Sequence, residues 1–391
     1  MRIFAYGLRA SRAFAGRGAP EAPGRRHWTR VAGLAVLTAL LASCATRPLT
    51  PSYAPAYSNS GPYTGSVGAH MHQVGWDQVE GWRDDSLIGA AAALRADCRK
   101  LGREPNWARA CAQADSIDDL DPASARRYFE QNFTPFQLSN DDGSVRGLVT
   151  GYYEPELHGS RYRHGPYLYP LYRWPAGYAR GTTLPPRETL VRSGMLDGSE
   201  LVYVDDPIEA FFLQIQGSGR IVMEDGSVMR VSFGGTNNQP YRSIGSWLIE
   251  HHELTPGQAS MQGIRAWARA NPDRVESLLD VDPRFVFFRE APPAQADEAD
   301  GPVGALGVPL TPERSIAVDP SAIPLGLPVF LATTRPLTHA PLNQLVFAQD
   351  VGSAIRGGVR ADFFWGYGDA AGDLAGKMKQ SGQMWVLMPN P

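Results

Sequence analysis

Cysteine is scarce in this chain, three in 391 residues, and histidine is little commoner at eight. A structural zinc site needs four closely spaced ligands, and neither the cysteines nor His70 and His72, two apart in a polar stretch, supply such a set. No metal or organic cofactor is called for. There is no Gly-x-Ser-x-Gly elbow and no convincing serine, histidine and acid trio, which argues against a serine hydrolase. Concentrated basic charge is missing too. With a formal net charge of −3, the chain lacks the cationic surface that nucleic-acid binding by counterion release demands. The uncharged apolar run Val31 to Ala42 would reach only about 18 Å as a helix, against a hydrocarbon core of roughly 30 Å, so it is no permanent span. Internal repeats are absent.

That same run follows Arg25, Arg26 and Arg30, and cationic charge followed by an apolar stretch is the pattern of an export signal. It ends in Leu41-Ala42-Ser43-Cys44, which resembles the lipobox of bacterial lipoproteins. The expectation is a leader, residues 1–43, removed to leave Cys44 lipidated. Acyl chains would then hold the protein at a membrane without a transmembrane helix. Ala45 after the cysteine resembles outer-membrane sorting, so the expected location is an outer-membrane lipoprotein facing the periplasm. That compartment permits disulfides, and a Cys98–Cys111 bridge is favoured over two separate buried thiols.

Hydrophobic residues make up 43%, enough for two cores, and 41 glycines with 32 prolines imply many turns and a mainly β architecture. Residues 44–75 are rich in Pro, Ser, Tyr and Gly without apolar periodicity and read as a tether. A helical flank follows: Leu87, Ala90, Leu94, Cys98 and Leu101 recur at helical spacing, and Asp121-Pro122 caps a second helix burying Ala125, Tyr128 and Phe129. From Gly147 short strands dominate, including 148–153, 201–204 and Phe211 to Gln216, with a hairpin across Asp225-Gly226. Helical pieces are expected at 241–253, 260–270 and 272–279. Strand texture resumes at 285–288, a polar stretch at 291–300 reads as a domain crossing, and further strands follow at 315–319, 329–331, 345–348 and 384–387.

Three aspartates stand at or just past hydrophobic strands: Asp319, Asp350 and Asp362. A carboxylate in apolar surroundings is costly unless paired, hydrogen-bonded or protonated. Asp362 is the best candidate acid, because Phe363, Phe364 and Trp365 can exclude water and raise its pKa, and an ionised Asp350 nearby would act in the same direction. A structural reading stays open: Asp362 caps a turn before Gly366, or pairs with Arg360 or Arg356. The glycine turn at Gln214 to Arg220 leads into a strand, so it is not a phosphate cradle at a helix start.

From about Phe129 to Leu387 the chain resembles the membrane-bound lytic murein transglycosylase A family. The resemblance rests on Thr150-Gly151-Tyr152-Tyr153-Glu154-Pro155, Gln214-Ile215-Gln216-Gly217-Ser218-Gly219, Tyr241-Arg242-Ser243-Ile244-Gly245, Ser260-Met261-Gln262-Gly263-Ile264-Arg265, Phe285-Val286-Phe287-Phe288 and the three C-terminal aspartates. At Gly234-Gly235-Thr236-Asn237-Asn238-Gln239-Pro240 the chain departs from the Lys-Asn-Gly usual in relatives.

The resemblance implies a double-psi β-barrel built from residues 76–159 and 296–391, with a second β-barrel domain, 160–295, inserted. It implies cleavage of the β-1,4 bond between N-acetylmuramic acid and N-acetylglucosamine in peptidoglycan, leaving 1,6-anhydromuramyl ends. Asp362 would be acid and then base, with Asp350 as supporting carboxylate and Asp319 structural. Thr150, Gly151, Tyr152, Gln216 and Ser218 would line the glycan groove. Alternatives are a muramidase-type hydrolase, with Asp350 or Asp319 as second carboxylate, and a non-catalytic peptidoglycan-binding lipoprotein.

Overall fold

The computed structural model describes residues 70–118, 121–291 and 301–391. The expected leader, Cys44, nearly all of the tether and most of the 291–300 crossing lie outside the described residues.

Strand β1 (Met71–Gln73) precedes three helices, α1 (Ala90–Leu101), α2 (Ala108–Gln113) and α3 (Pro122–Asn132). Helix α3 starts where Asp121 accepts a hydrogen bond from Ala123 N at 2.9 Å, with Pro122 in the first turn, where its missing N–H costs nothing. Ala90 and Leu94 of α1 are buried, whereas Leu87 lies outside the helix with φ 57°. Cys98 and Cys111 are joined by a disulfide, tying α1 to α2.

Strands β2 (Phe133–Leu138) and β3 (Gly147–Glu154) follow. After Pro155 the chain builds β4 (Glu156–Ser160), β5 (Tyr169–Tyr172), the short helix α4 (Arg187–Arg192), β6 (Glu200–Val204), α5 (Pro207–Gln216), β7 (Ser218–Met223) and β8 (Val228–Thr236). Helices α6 (Ile244–Glu250), α7 (Met261–Ala270) and α8 (Val275–Leu279) lead to β9 (Val286–Glu290). The last part comprises β10 (Ser315–Val318), β11 (Pro328–Thr334), β12 (Pro341–Val351), β13 (Arg360–Tyr367), α9 (Gly368–Ala375) and β14 (Lys379–Pro389).

Strands β14, β11, β12, β10, β13 and β3 pair in that order, and β3 pairs back to β14, so six strands close a barrel; β2 and β1 extend it from β14. The other six strands form a second sheet in the order β5-β6-β4-β7-β8-β9. Its whole sequence lies between barrel strands β3 and β10. Closure buries Phe330, Phe347, Phe363, Trp385 and their neighbours, each such side chain contributing on the order of 1.5–3 kcal/mol. The second sheet has its own core around Val202, Leu213, Ile221 and Phe288. Ahead of the helices, Asp85 receives both Nη groups of Arg314, at 2.7 and 2.9 Å, and the Leu345 amide at 2.7 Å. That buried, fully bonded pair locks the segment before α1 to the barrel.

The segment Phe211 to Gln216, expected as a strand, is helical. Asp206 accepts from the amides of Ile208 and Glu209, Pro207 occupies the first turn, and Gly217 ends α5 in the left-handed conformation with φ 84°. These caps outweigh the β preference of the aromatic residues between them. Helix α9 has no counterpart in the sequence expectations.

Candidate active site

Two barrel strands carry Asp362 and the candidate residues Thr150 and Tyr152. In β3, Val149 and Tyr153 enter the barrel core, so alternation turns Thr150 and Tyr152 to the opposite face. In β13, Ala361, Phe363 and Trp365 are core residues, leaving Asp362 and Phe364 on the outer face. The strands run parallel with Asp362 opposite Thr150 and Phe364 opposite Tyr152. Of the three aromatics expected to dry Asp362, therefore, only Phe364 shares its face. Its ring lies 5.1 Å from that of Tyr152.

Asp350 arrives from β12. Ala317 of β10 is registered against Asp350 on one side and Asp362 on the other, so a single strand separates the two carboxylates. Tyr152 bridges the gap: its hydroxyl donates to Asp350 Oδ2 at 3.2 Å, while Thr150 Oγ1 donates to Asp362 Oδ1 at 2.6 Å. The amide of Ala305 donates to Asp350 Oδ1 at 3.0 Å.

Both carboxyls hold their protons more tightly than a free aspartate. Burial pushes Asp350 up to about 6; the amides of Val351 and Ala305 and the Tyr152 hydroxyl work against this, and the Asp362 charge reinforces it. Burial also raises Asp362, opposed by the Thr150 hydrogen bond and the Arg360 charge. Tyr152 is raised well above the usual phenol range by burial and by both carboxylates, so it stays a donor.

Their hydrogen bonding distinguishes them. Asp350 is held by three donors, whereas Asp362 accepts only from Thr150 through Oδ1, leaving Oδ2 without a protein partner among the described residues. Nor does Asp362 ion-pair with Arg360, whose guanidinium donates to the carbonyls of Ala361 and Leu148 at 2.5 and 3.4 Å. Arg356 bonds the carbonyls of Ile355 and Gly352.

The other candidate residues have varied surroundings. A Cβ on Gly151 would meet Trp365 Nε1 at 2.7 Å, so Gly151 permits β3 to pack closely. Gln216 Oε1 accepts from the Tyr153 amide at 3.3 Å, one residue from Tyr152. Ser218 opens β7 opposite Ser232. Asp319 follows β10 and accepts from Ser321 N and Oγ and from Gly357 N, at 3.0, 2.7 and 3.0 Å. It braces the loop after Asp350; burial alone would raise its pKa, but these bonds outweigh it and the carboxyl is lowered.

Sequence reasoning missed two supports. Arg220 donates through Nε to Glu154 at 2.8 Å, both buried, joining the end of β3 to β7. Arg265 holds Glu209 with two bonds and reaches the Tyr153 hydroxyl at 3.3 Å. All except Glu209 lie in the motifs singled out above, but nothing in their spacing pairs them.

Two family models match the chain, the MltA specific insert domain over residues 148–289 and the 3D domain over residues 314–388. The membrane-bound lytic murein transglycosylase A of Escherichia coli K12 is 34% identical over 264 residues, covering 66% of this chain and 69% of that protein. The chain belongs to the membrane-bound lytic murein transglycosylase A family. Among solved structures, the lytic transglycosylase LtgG of Burkholderia pseudomallei is 70% identical, with a TM-score of 0.64 over 83% of this chain and 97% of that one. E. coli MltA with bound chitohexaose is 28% identical, with a TM-score of 0.65 over 83% and 92%. The family members thus share this chain's fold.

Proposed function

We propose that the protein cleaves the glycan strands of peptidoglycan as a lytic transglycosylase, with Asp362 as the single acid and base. The observation that carries this is the free Oδ2 of Asp362 beside a fully bonded Asp350. Membership of the family supports it, as does the chitohexaose bound by the E. coli member.

Protonated Asp362 donates its proton to the oxygen linking N-acetylmuramic acid to N-acetylglucosamine. The C1–O bond breaks, the glucosamine chain leaves with its new hydroxyl, and positive charge develops on the muramyl ring. The muramyl C6 hydroxyl then attacks C1 and gives its proton to the Asp362 carboxylate, restoring the acid. No water is consumed, because an intramolecular nucleophile has an effective molarity on the order of 10⁵ M or more. Thr150 stabilises the carboxylate between the two transfers, and Asp350 with Tyr152 maintains negative charge and a donor beside the oxocarbenium-like centre.

The same reading makes the closed barrel a double-psi barrel and the inserted sheet a second barrel, with the glycan between them. It also places the protein at the outer membrane, facing the periplasm and lipid-anchored through Cys44. The relatives' description as membrane-bound supports an anchor, and among the described residues no helix is long and apolar enough to cross a membrane.

Mass spectrometry of sacculi digested by the purified protein tests the reaction. Anhydromuramyl ends are expected. Reducing muramyl ends would replace the proposal with hydrolysis, and binding without release would leave a non-catalytic wall protein.

A further inference from the structure

On the side of Asp362 away from Tyr152, the barrel face becomes strongly basic. Alternation along β3 puts Leu148 on the same face as Thr150, with Arg146 continuing that row just ahead of the strand. Arg360 of β13 stands opposite Leu148. Lys379, the first residue of β14, stands directly opposite Thr150, and Ser381 opposite Leu148. Three cations from three segments thus surround Leu148. Among the described residues, none of Arg146, Arg360 and Lys379 has a carboxylate within the 4.0 Å of an ion pair. Arg146 and Lys379 are exposed, and Arg360 is partly buried. A depression of about 340 Å³ lies here, lined by Arg146, Gly147, Leu148, Lys379, Gln380 and Ser381. Leu148, 38% exposed, offers an apolar surface among the cations.

The position of this patch selects its ligand. Cross-strand partners have Cβ atoms about 5 Å apart, so the Lys379 stem starts beside the residue that holds Asp362. Leu148 is about 7 Å further along β3. The sugar reacting at Asp362 is N-acetylmuramic acid, which carries on C3 a lactyl group and, linked through it, the stem peptide. That peptide leaves the glycan within a sugar ring of the bond being broken. Its side and terminal carboxylates are anionic, and its first groups bear methyls. A shelf of cations around an exposed leucine, on a chain of net charge −3, complements both.

We infer that Arg146, Arg360 and Lys379 form a shelf that binds the carboxylates of the stem peptide at the cleavage point, so that the enzyme favours peptide-bearing over naked glycan. This rests on the lytic reading above, so the test separates the two. Steady-state kinetics are measured on peptide-bearing strands and on strands stripped of stems by an amidase, for the full protein and for Lys379→Ala with Arg146→Ala, and for Lys379→Glu. Arg360 is left intact because it lies beside Asp362.

For exposed ion pairs the double alanine variant should raise KM on peptide-bearing strands about three- to tenfold, with kcat kept and naked strands unaffected. Lys379→Glu should do more, and raised salt should erase the wild-type preference for peptide. Wild-type activity on peptide-bearing strands alone would make the shelf obligatory and supports it. Equal losses on both substrates in variants that melt like wild type, or no loss on either, would overturn the inference. Failure of the wild type to form anhydro ends on both substrates would instead strike the reaction itself.

Discussion

Replacing Asp362 with asparagine tests the central assignment with little structural disturbance. Asparagine keeps the size of the side chain, and its Oδ1 can still accept from Thr150 Oγ1, which stands 2.6 Å from the native carboxylate. Glycan binding should therefore survive. The acidic proton does not, and neither does the base that follows from it. A general acid or base contributes about 10² to 10⁴ in rate, so loss of the only one should reach the upper part of that range, about 4–5.5 kcal/mol in barrier height. The fold should not suffer. Burial raises the Asp362 pKa, so its ionised form is disfavoured in the native state, and removing a carboxyl of that kind costs no stability above the unfolded pKa. The assay is release of anhydro-muropeptides by purified variants, with sacculus pelleting for binding and thermal melting for folding. The competing acid is Asp350, whose pKa of about 6 makes it a capable proton carrier. Near-wild-type turnover in Asp362→Asn, with the loss falling on Asp350→Asn, would refute the argument from hydrogen bonding and move the acid to Asp350.

Asp350→Asn should raise the melting temperature at pH 7 and above, because a folded pKa of about 6 against 3.8 costs stability that is lost as pH rises between those values, up to about 3 kcal/mol. The gain should vanish near pH 4 in a melting series, and a gain that does not depend on pH would contradict the burial argument. Asp319→Ala should destabilise by about 1–3 kcal/mol at pH 7 through loss of its bonds to Ser321 and Gly357. Since its folded pKa is lowered, the deficit should shrink as pH falls through that value; denaturant titration at pH 7 and pH 3 checks this. Cys44→Ala should abolish palmitate labelling and release an active enzyme into the periplasm. Labelling that persists would place the anchor elsewhere.

Elements with one buried face were legible in the sequence, as were the short buried strands β10 and β11, but a short helix buried on most sides was not. Helix α3 was announced by Asp121-Pro122 and by apolar spacing, and the β7–β8 hairpin by Asp225-Gly226 between alternating runs. Helix α5 buries Ile208, Ala210, Phe211, Phe212, Leu213 and Gln214, so its apolar residues wrap the cylinder and leave no period to read. Its composition then looked like a strand. The cues that decide it are terminal: Asp206-Pro207 begins a helix and Gly217 stops it, which is why caps deserve more weight than composition in a buried segment.

Chemistry was legible as residue type but not as arrangement. Three aspartates beside hydrophobic strands could be picked out, yet the roles proposed for them, a supporting carboxylate, a reactive one and a loop brace, depend on register. Ala317 has no chemistry of its own, but its place between Asp350 and Asp362 sets their separation. A one-residue slip of β13 against β3 would turn Asp362 into the barrel core and put Phe363 in its place. The same alternation weakens the aromatic argument for Asp362: Phe363 and Trp365 belong to the barrel core, and of the three only Phe364 shares the face of the carboxylate. What sets Asp362 apart is the bonding left open at Oδ2. Unlike burial, that property belongs to no residue or neighbour in the sequence; it appears only when the partners of both acids, Thr150 from one strand and Tyr152 two residues along it, are fixed by barrel closure.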